Sequence, residues 1–113
     1  MLTLRLYMLQ RITALVMAPL VVLHLAVMIY AIHGGVSAGE ILGRTQGSIL
    51  WFMAYGLFTL AVAVHGAIGL RAIAAEWGGL TARALDALMW GAGGVLLGLG
   101  MRAVWAVTFG VAT

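Results

Sequence analysis

Three long apolar runs dominate the chain. The first extends from Ile12 to His33, the second from Ser48 to about Ala75, and the third from Ala87 to about Val111. Each supplies the roughly 20 residues that a helix needs to cross a bilayer. The second carries no charge as far as Leu70, and the third is interrupted only by Arg102. None has the one-sided polarity of a soluble amphipathic helix. Backbone groups in hydrocarbon must be satisfied within the protein, so the pattern predicts helices. The expected fold is an all-α integral membrane protein, one domain over residues 1–113 with spans at about 12–33, 48–75 and 87–111.

The segments between the runs are rich in turn residues. Gly34 to Glu40 and Glu76 to Thr81 each contain a Gly-Gly pair and predict turns. Thr81 is a candidate cap of a short helix leading into the third span, and Asp86 is expected to cap or begin the third helix. Pro19 should kink or loosen the first. Gly94 and Gly98 have the small-x-x-x-small spacing of a helix-packing contact. Trp51, Trp77, Trp90 and Trp105 fall near span ends, as in an aromatic belt. The first run exceeds the 7–15 residues of a signal-peptide core, and Arg5 and Arg11 are spread apart, so it reads as a retained span.

Composition sharpens this picture. The chain is 65% hydrophobic and only 8% charged, where a soluble domain carries about 25% charged residues. Its six basic residues are all Arg. Arg5, Arg11, Arg71 and Arg83 lie on one predicted side, and Arg44 and Arg102 on the other. This bias predicts a cytoplasmic N-terminus and second loop, with the C-terminus outside. The high pI therefore reflects membrane-edge charges. No basic cluster with interleaved aromatics grips phosphates, so nucleic acid is not an expected partner. Cys is absent, which excludes disulfides, thiolate metal sites and covalently attached c-type haem.

His65 is the residue most in need of explanation. It lies inside the second run, where a titratable ring must hydrogen-bond, carry protons or ligate a metal. Its helical neighbours Ala61, Val62, Ile68, Gly69 and Ala72 are mostly small. Such a face admits either a flat macrocycle or a closely packed helix. An axial haem ligand is the leading reading, and an interhelical hydrogen bond the alternative. His24 is a second mid-span candidate. It lies thirteen residues beyond Arg11, roughly 20 Å from the inner edge, while His65 lies roughly 10 Å from it. The two are therefore not expected to share one iron, and each would need a histidine from another chain. His33 abuts Gly34 and reads as solvent-accessible. Arg11 is either a snorkelling anchor or a contact for a haem propionate or quinone. Arg71 and Arg83 read mainly as anchors. Glu76 and Trp77 form a polar–aromatic pair where a quinone head group could hydrogen-bond.

These residues carry a resemblance. The opening Gln10-Arg11-Ile12-Thr13-Ala14, the pattern His65-x-x-x-Gly69 leading to Glu76-Trp77, and three spans in one short chain resemble the membrane-anchor subunits of succinate dehydrogenase and fumarate reductase (respiratory complex II). Among these, the small hydrophobic anchor is the most similar type. The resemblance implies a haem b ligated by His65, with Arg11 near its propionates and the quinone pocket. It also implies quinone contacts at Glu76 and Trp77, where the family usually has Asp-Tyr. Trp77 can donate a hydrogen bond but cannot act as a phenol. His24 resembles a ligand of diheme members, which hold a second haem at another depth.

The implied protein is half of a haem-binding helical bundle in the inner (cytoplasmic) membrane. It would be an electron-transfer subunit without flavin, passing electrons between an iron–sulfur subunit and membrane quinone. The implied partners are a second membrane anchor, the iron–sulfur subunit and a flavoprotein. Two alternatives remain at this point: a haem-free structural anchor, and a stand-alone dimeric diheme cytochrome b with like histidines paired across a two-fold axis.

Overall fold

A computed structural model describes residues 3–35, 43 and 47–110. Among these residues, three long helices account for nearly all of the structure: α1 (Leu4–Gly34), α2 (Ile49–Trp77) and α3 (Ala82–Thr108). All three are long and apolar enough to cross a membrane. The protein is an all-α, multi-pass membrane protein.

Each helix begins at a hydroxyl cap. Thr3, Ser48 and Thr81 adopt extended backbone, and their side chains accept from Leu6, Trp51 and Ala84 N–H. Those bonds satisfy donors that a helix start leaves unpaired. The caps displace the boundaries expected from hydropathy. α1 starts at Leu4, eight residues before the first apolar run, and so includes Arg5 and Arg11. At 1.5 Å per residue it is about 46 Å long, against a hydrocarbon core of about 30 Å. It must tilt or project beyond the core. α3 starts at Ala82, so Thr81 caps the membrane helix itself. Asp86 is in the second turn and caps nothing. Pro19 lies inside α1, which remains one unbroken helix. At the other end Gly35 closes α1 in the left-handed region (φ 65°), and its N–H bonds Ala31 and Ile32 carbonyls. The remainder of the predicted Gly34–Glu40 turn, and Arg44, lie outside the described residues.

α2 is central. It packs against both α1 and α3, which share no comparable seam with each other. Both pairings are antiparallel. Along α1, Thr13 meets His65 and His24 meets Phe58. Along α3, Gly93 lies against Ala67 and Gly100 against Thr59. Arg5, Arg11, Arg71 and Arg83 consequently gather at one end of the bundle, and Arg102 lies towards the other.

Lipid is as apolar as leucine, so packing inside a membrane depends on close fit more than on removal from water. The buried apolar residues are accordingly small or β-branched for the most part: Ala61, Ala63, Ala67, Ile68, Leu85 and Val104. Glycines make the α2–α3 seam close. A Cβ on Gly93 would stand 3.3 Å from Ala67, one on Gly66 would stand 3.3 Å from Leu96, and one on Gly100 would overlap the Thr59 methyl. Gly94 and Gly98, which the spacing pattern marks as the packing pair, have nothing within 4 Å of an added Cβ. Their spacing is right, but α3 is rotated so that Gly93 and Gly100 meet α2.

Gly100→Ala should therefore weaken the α2–α3 seam by about 1–3 kcal/mol, the usual cost of overpacking. Gly98→Ala should be nearly neutral in the isolated chain. Thermal unfolding followed by circular dichroism in detergent distinguishes them, and equal midpoints would show that Thr59 moves aside at no cost.

Candidate functional site

Three polar side chains inside the spans, those of Gln10, Thr13 and His65, converge where α1 meets α2. His65 is half-buried. Its Nδ1 lies 3.3 Å from the Gln10 carbonyl oxygen and 3.2 Å from Thr13 Oγ1. Thr13 is only 7% exposed. Its hydroxyl proton has two main-chain acceptors one turn back, the carbonyls of Leu9 at 2.9 Å and Gln10 at 3.0 Å.

This arrangement determines the tautomer. A neutral imidazole has one N–H and one bare nitrogen. A bare Nδ1 would set its lone pair against the Gln10 carbonyl oxygen. Nδ1 therefore carries the proton and donates to Gln10 and Thr13, which leaves the Nε2 lone pair free. Among the described residues Nε2 has no hydrogen-bond partner.

Gln10 completes the cluster. Its amide lies over Gly69, where an added Cβ would stand 3.4 Å from Nε2 of Gln10. Its Oε1 is buried and has no hydrogen-bond partner among the described residues. The small face expected around His65 is thus covered, at Gly69, by α1 of the same chain. In the opening motif Gln10 and Thr13 read only as flanks of Arg11. Their three-residue spacing, continued by Met17, Leu20 and His24, marks one stripe of α1, and that stripe faces α2.

The other candidates are dispersed. Arg11 is exposed and turns back one helical turn: its Nη1 donates to Tyr7 Oη at 3.2 Å, and its guanidinium lies 5.7 Å from the Tyr7 ring centroid. Its contacts are with Tyr7 and not with the His65 cluster. His24 is exposed, with its ring 5.4 Å from that of Phe58. It lines a shallow apolar pocket with Leu20, Leu23, Trp51 and Tyr55. Phe58 precedes His65 by seven residues, so the histidines differ in level by roughly 10 Å. His33 is exposed in the last turn of α1. Glu76 and Trp77 end α2, both exposed, Trp77 at 86%.

Arg71 is more than a membrane-edge anchor. Its side chain is only 12% exposed, and Nε and Nη2 both reach Asp86 Oδ1 at 3.1 Å. The pair joins α2 to α3 across the short Gly78–Thr81 connection, in which Gly79 takes the left-handed conformation (φ 59°). Leu6, Leu9, Val64, Ile68, Met89 and Trp90 help line an apolar cavity of about 290 Å³ open to the outside of the bundle. No group of three or more His, Cys, Asp or Glu side chains placed to hold a metal ion occurs among the described residues.

The family model of the succinate dehydrogenase/fumarate reductase transmembrane subunit matches residues 1–109. The chain belongs to that family. No curated protein and no solved structure matched it. As a member, it is a membrane subunit of a succinate dehydrogenase or fumarate reductase complex and works with other subunits. The family is that of the cytochrome b-type membrane subunits of complex II.

The Arg71–Asp86 pair makes a measurable prediction. A double-mutant cycle with Arg71→Ala and Asp86→Ala, read by thermal stability in detergent, should give a coupling of about 0.5–1 kcal/mol, because Asp86 remains partly solvated. Additive single mutants would show that the pair contributes nothing to the seam.

Proposed function

We propose that this subunit supplies His65 as one axial ligand of a b-type haem, and that it helps bind quinone and pass electrons between the iron–sulfur subunit and the membrane quinone pool. One observation supports the ligand role above all. Nδ1 is committed to the Gln10 carbonyl, so in a neutral ring the Nε2 lone pair is the free donor at the α1–α2 seam. This is the form in which imidazole binds iron, with its other nitrogen held by a protein acceptor. The donor set therefore fits one axial position. The second ligand would come from a companion anchor chain, because His24 sits at another level of the bundle.

The haem, when bound, supplies one-electron exchange. The protein's part is position and environment. α1 orients the His65 ring through main-chain and hydroxyl acceptors. Arg11, with no carboxylate partner among the described residues, suits a propionate or a quinone oxygen. Glu76 and Trp77 stand at the end of α2 closest to the proposed iron–sulfur subunit, where both can hydrogen-bond a quinone head group. His24, on the same stripe of α1 as Thr13, is the proposed ligand of a second haem. The complex would contain the second anchor, the iron–sulfur subunit and the flavoprotein, on the cytoplasmic face of the inner membrane. The four arginines at one end of the bundle support a cytoplasmic N-terminus.

His65→Leu in the purified complex should remove one b-type haem, measured by the reduced absorption spectrum and haem-to-flavin ratio. Unchanged haem content would favour a structural anchor in which His65 serves only to join α1 and α2. Orientation has its own test, made clean by the absence of Cys. Leu80→Cys should react with a membrane-impermeant maleimide in inside-out vesicles and not in right-side-out ones. The reverse pattern would invert the proposed topology.

A further inference from the structure

Thr13 is a buried hydroxyl on the stripe of α1 that faces α2, and its geometry is specific. The hydroxyl bonds back to Leu9 O at 2.9 Å, which fixes the side-chain rotamer of a β-branched residue already stiff at χ1. With its proton committed to the main chain, Oγ1 presents a lone pair in a fixed direction. His65 Nδ1 lies 3.2 Å from that oxygen. The Gln10 carbonyl supplies a second acceptor at 3.3 Å, so the ring proton is shared between two fixed points on one helix. Two acceptors restrain the imidazole plane more tightly than one.

We propose that Thr13 is the positioning residue of His65. It accepts from Nδ1–H, fixes the plane of the ring with Nε2 turned away from these acceptors, and by drawing on the Nδ1 proton makes the imidazole a stronger electron donor at Nε2. The chain of donation runs from His65 Nδ1–H to Thr13 Oγ1 and from Thr13 Oγ1–H to the Leu9 carbonyl. Each hydrogen bond in such a chain polarises the next. A stronger electron donor would favour the ferric over the ferrous state of an iron it ligates. This inference rests on the ligand reading of His65 and goes beyond it, because it assigns the control of that ligand to a side chain on the neighbouring helix.

The test uses the whole purified complex and three variants. Thr13→Val keeps the branched shape and removes the hydroxyl, Thr13→Ser keeps the hydroxyl, and His65→Leu removes the ligand. Haem is quantified, titrated potentiometrically and examined by electron paramagnetic resonance of the ferric state. Thr13→Val should retain haem while its reduction equilibrium shifts towards the ferrous form by about three- to tenfold, the equivalent of one modest hydrogen bond. The ferric g-values should move with it. Thr13→Ser should behave as the unmodified complex. Haem loss in Thr13→Val that Thr13→Ser restores would also support the proposal. An unchanged potential and spectrum in Thr13→Val, with haem lost in His65→Leu, would overturn this inference alone. So would a defect equal in Thr13→Val and Thr13→Ser, which points to seam packing. An unmodified complex without b-type haem, or haem retained in His65→Leu, would overturn the ligand reading and this inference with it.

Discussion

Inside hydrocarbon a polar group has only the protein to bond to, and this single constraint organises the α1–α2 seam. His65 interrupts an apolar helix with a ring that water cannot reach as it would on a soluble surface. The chain answers with polar partners placed opposite it on α1. Gln10 offers its main-chain carbonyl and Thr13 its hydroxyl, and Thr13 in turn rests on Leu9. The result is one ring nitrogen bound and one free. The Gln10 Oε1, unpaired among the described residues, lies in the same cluster, so polar groups are concentrated in one place along the seam.

The α2–α3 seam works by a different rule. Among the described residues it has no buried polar network of that kind and relies on close approach, with glycines of α3 set against Ala67 and Thr59 of α2. The Arg71–Asp86 pair secures it at the membrane edge, where partial hydration lowers the cost of the charges. α2 therefore has two unlike faces: one that holds the His65 ring in register through polar contacts, and one that fixes the helix in place by close packing. Because α1 and α3 share no comparable seam, the His65 face and the glycine face are structurally separate.

Much of this was legible in the sequence. Three spans, their antiparallel order and the oddity of His65 follow from hydropathy and from the cost of burying a ring. The exact helix starts did not, because hydropathy measures the apolar core whereas Thr3, Ser48 and Thr81 set the ends through hydrogen bonds. The Gly94–Gly98 pair satisfied a spacing rule that says nothing of rotation about the helix axis, and the rotation places Gly93 and Gly100 at the contact. At the site, attention falls first on Arg11 because it is charged, yet Gln10 and Thr13 are the residues that reach His65. A one-residue step on a helix turns a side chain by about 100°, so a motif in one dimension does not reveal which of its members faces inward. Likewise Asp86 reads as a cap from its position near a helix start, and only the fold brings Arg71 to it.

One of the two acceptors for His65 is a main-chain oxygen, and this affects how the site can change over generations. A mutation at position 10 alters the amide but cannot delete the carbonyl, so one of the ring's two restraints is immune to most single-residue replacement there. It is vulnerable instead to insertions and deletions, because losing one residue between Gln10 and Thr13 would turn the carbonyl away from the stripe that faces α2. Inheritance of the site is therefore carried by the count of residues along the first helix as much as by their identities. Distant descendants of such a protein can differ at position 10 and still aim the same ring in the same direction.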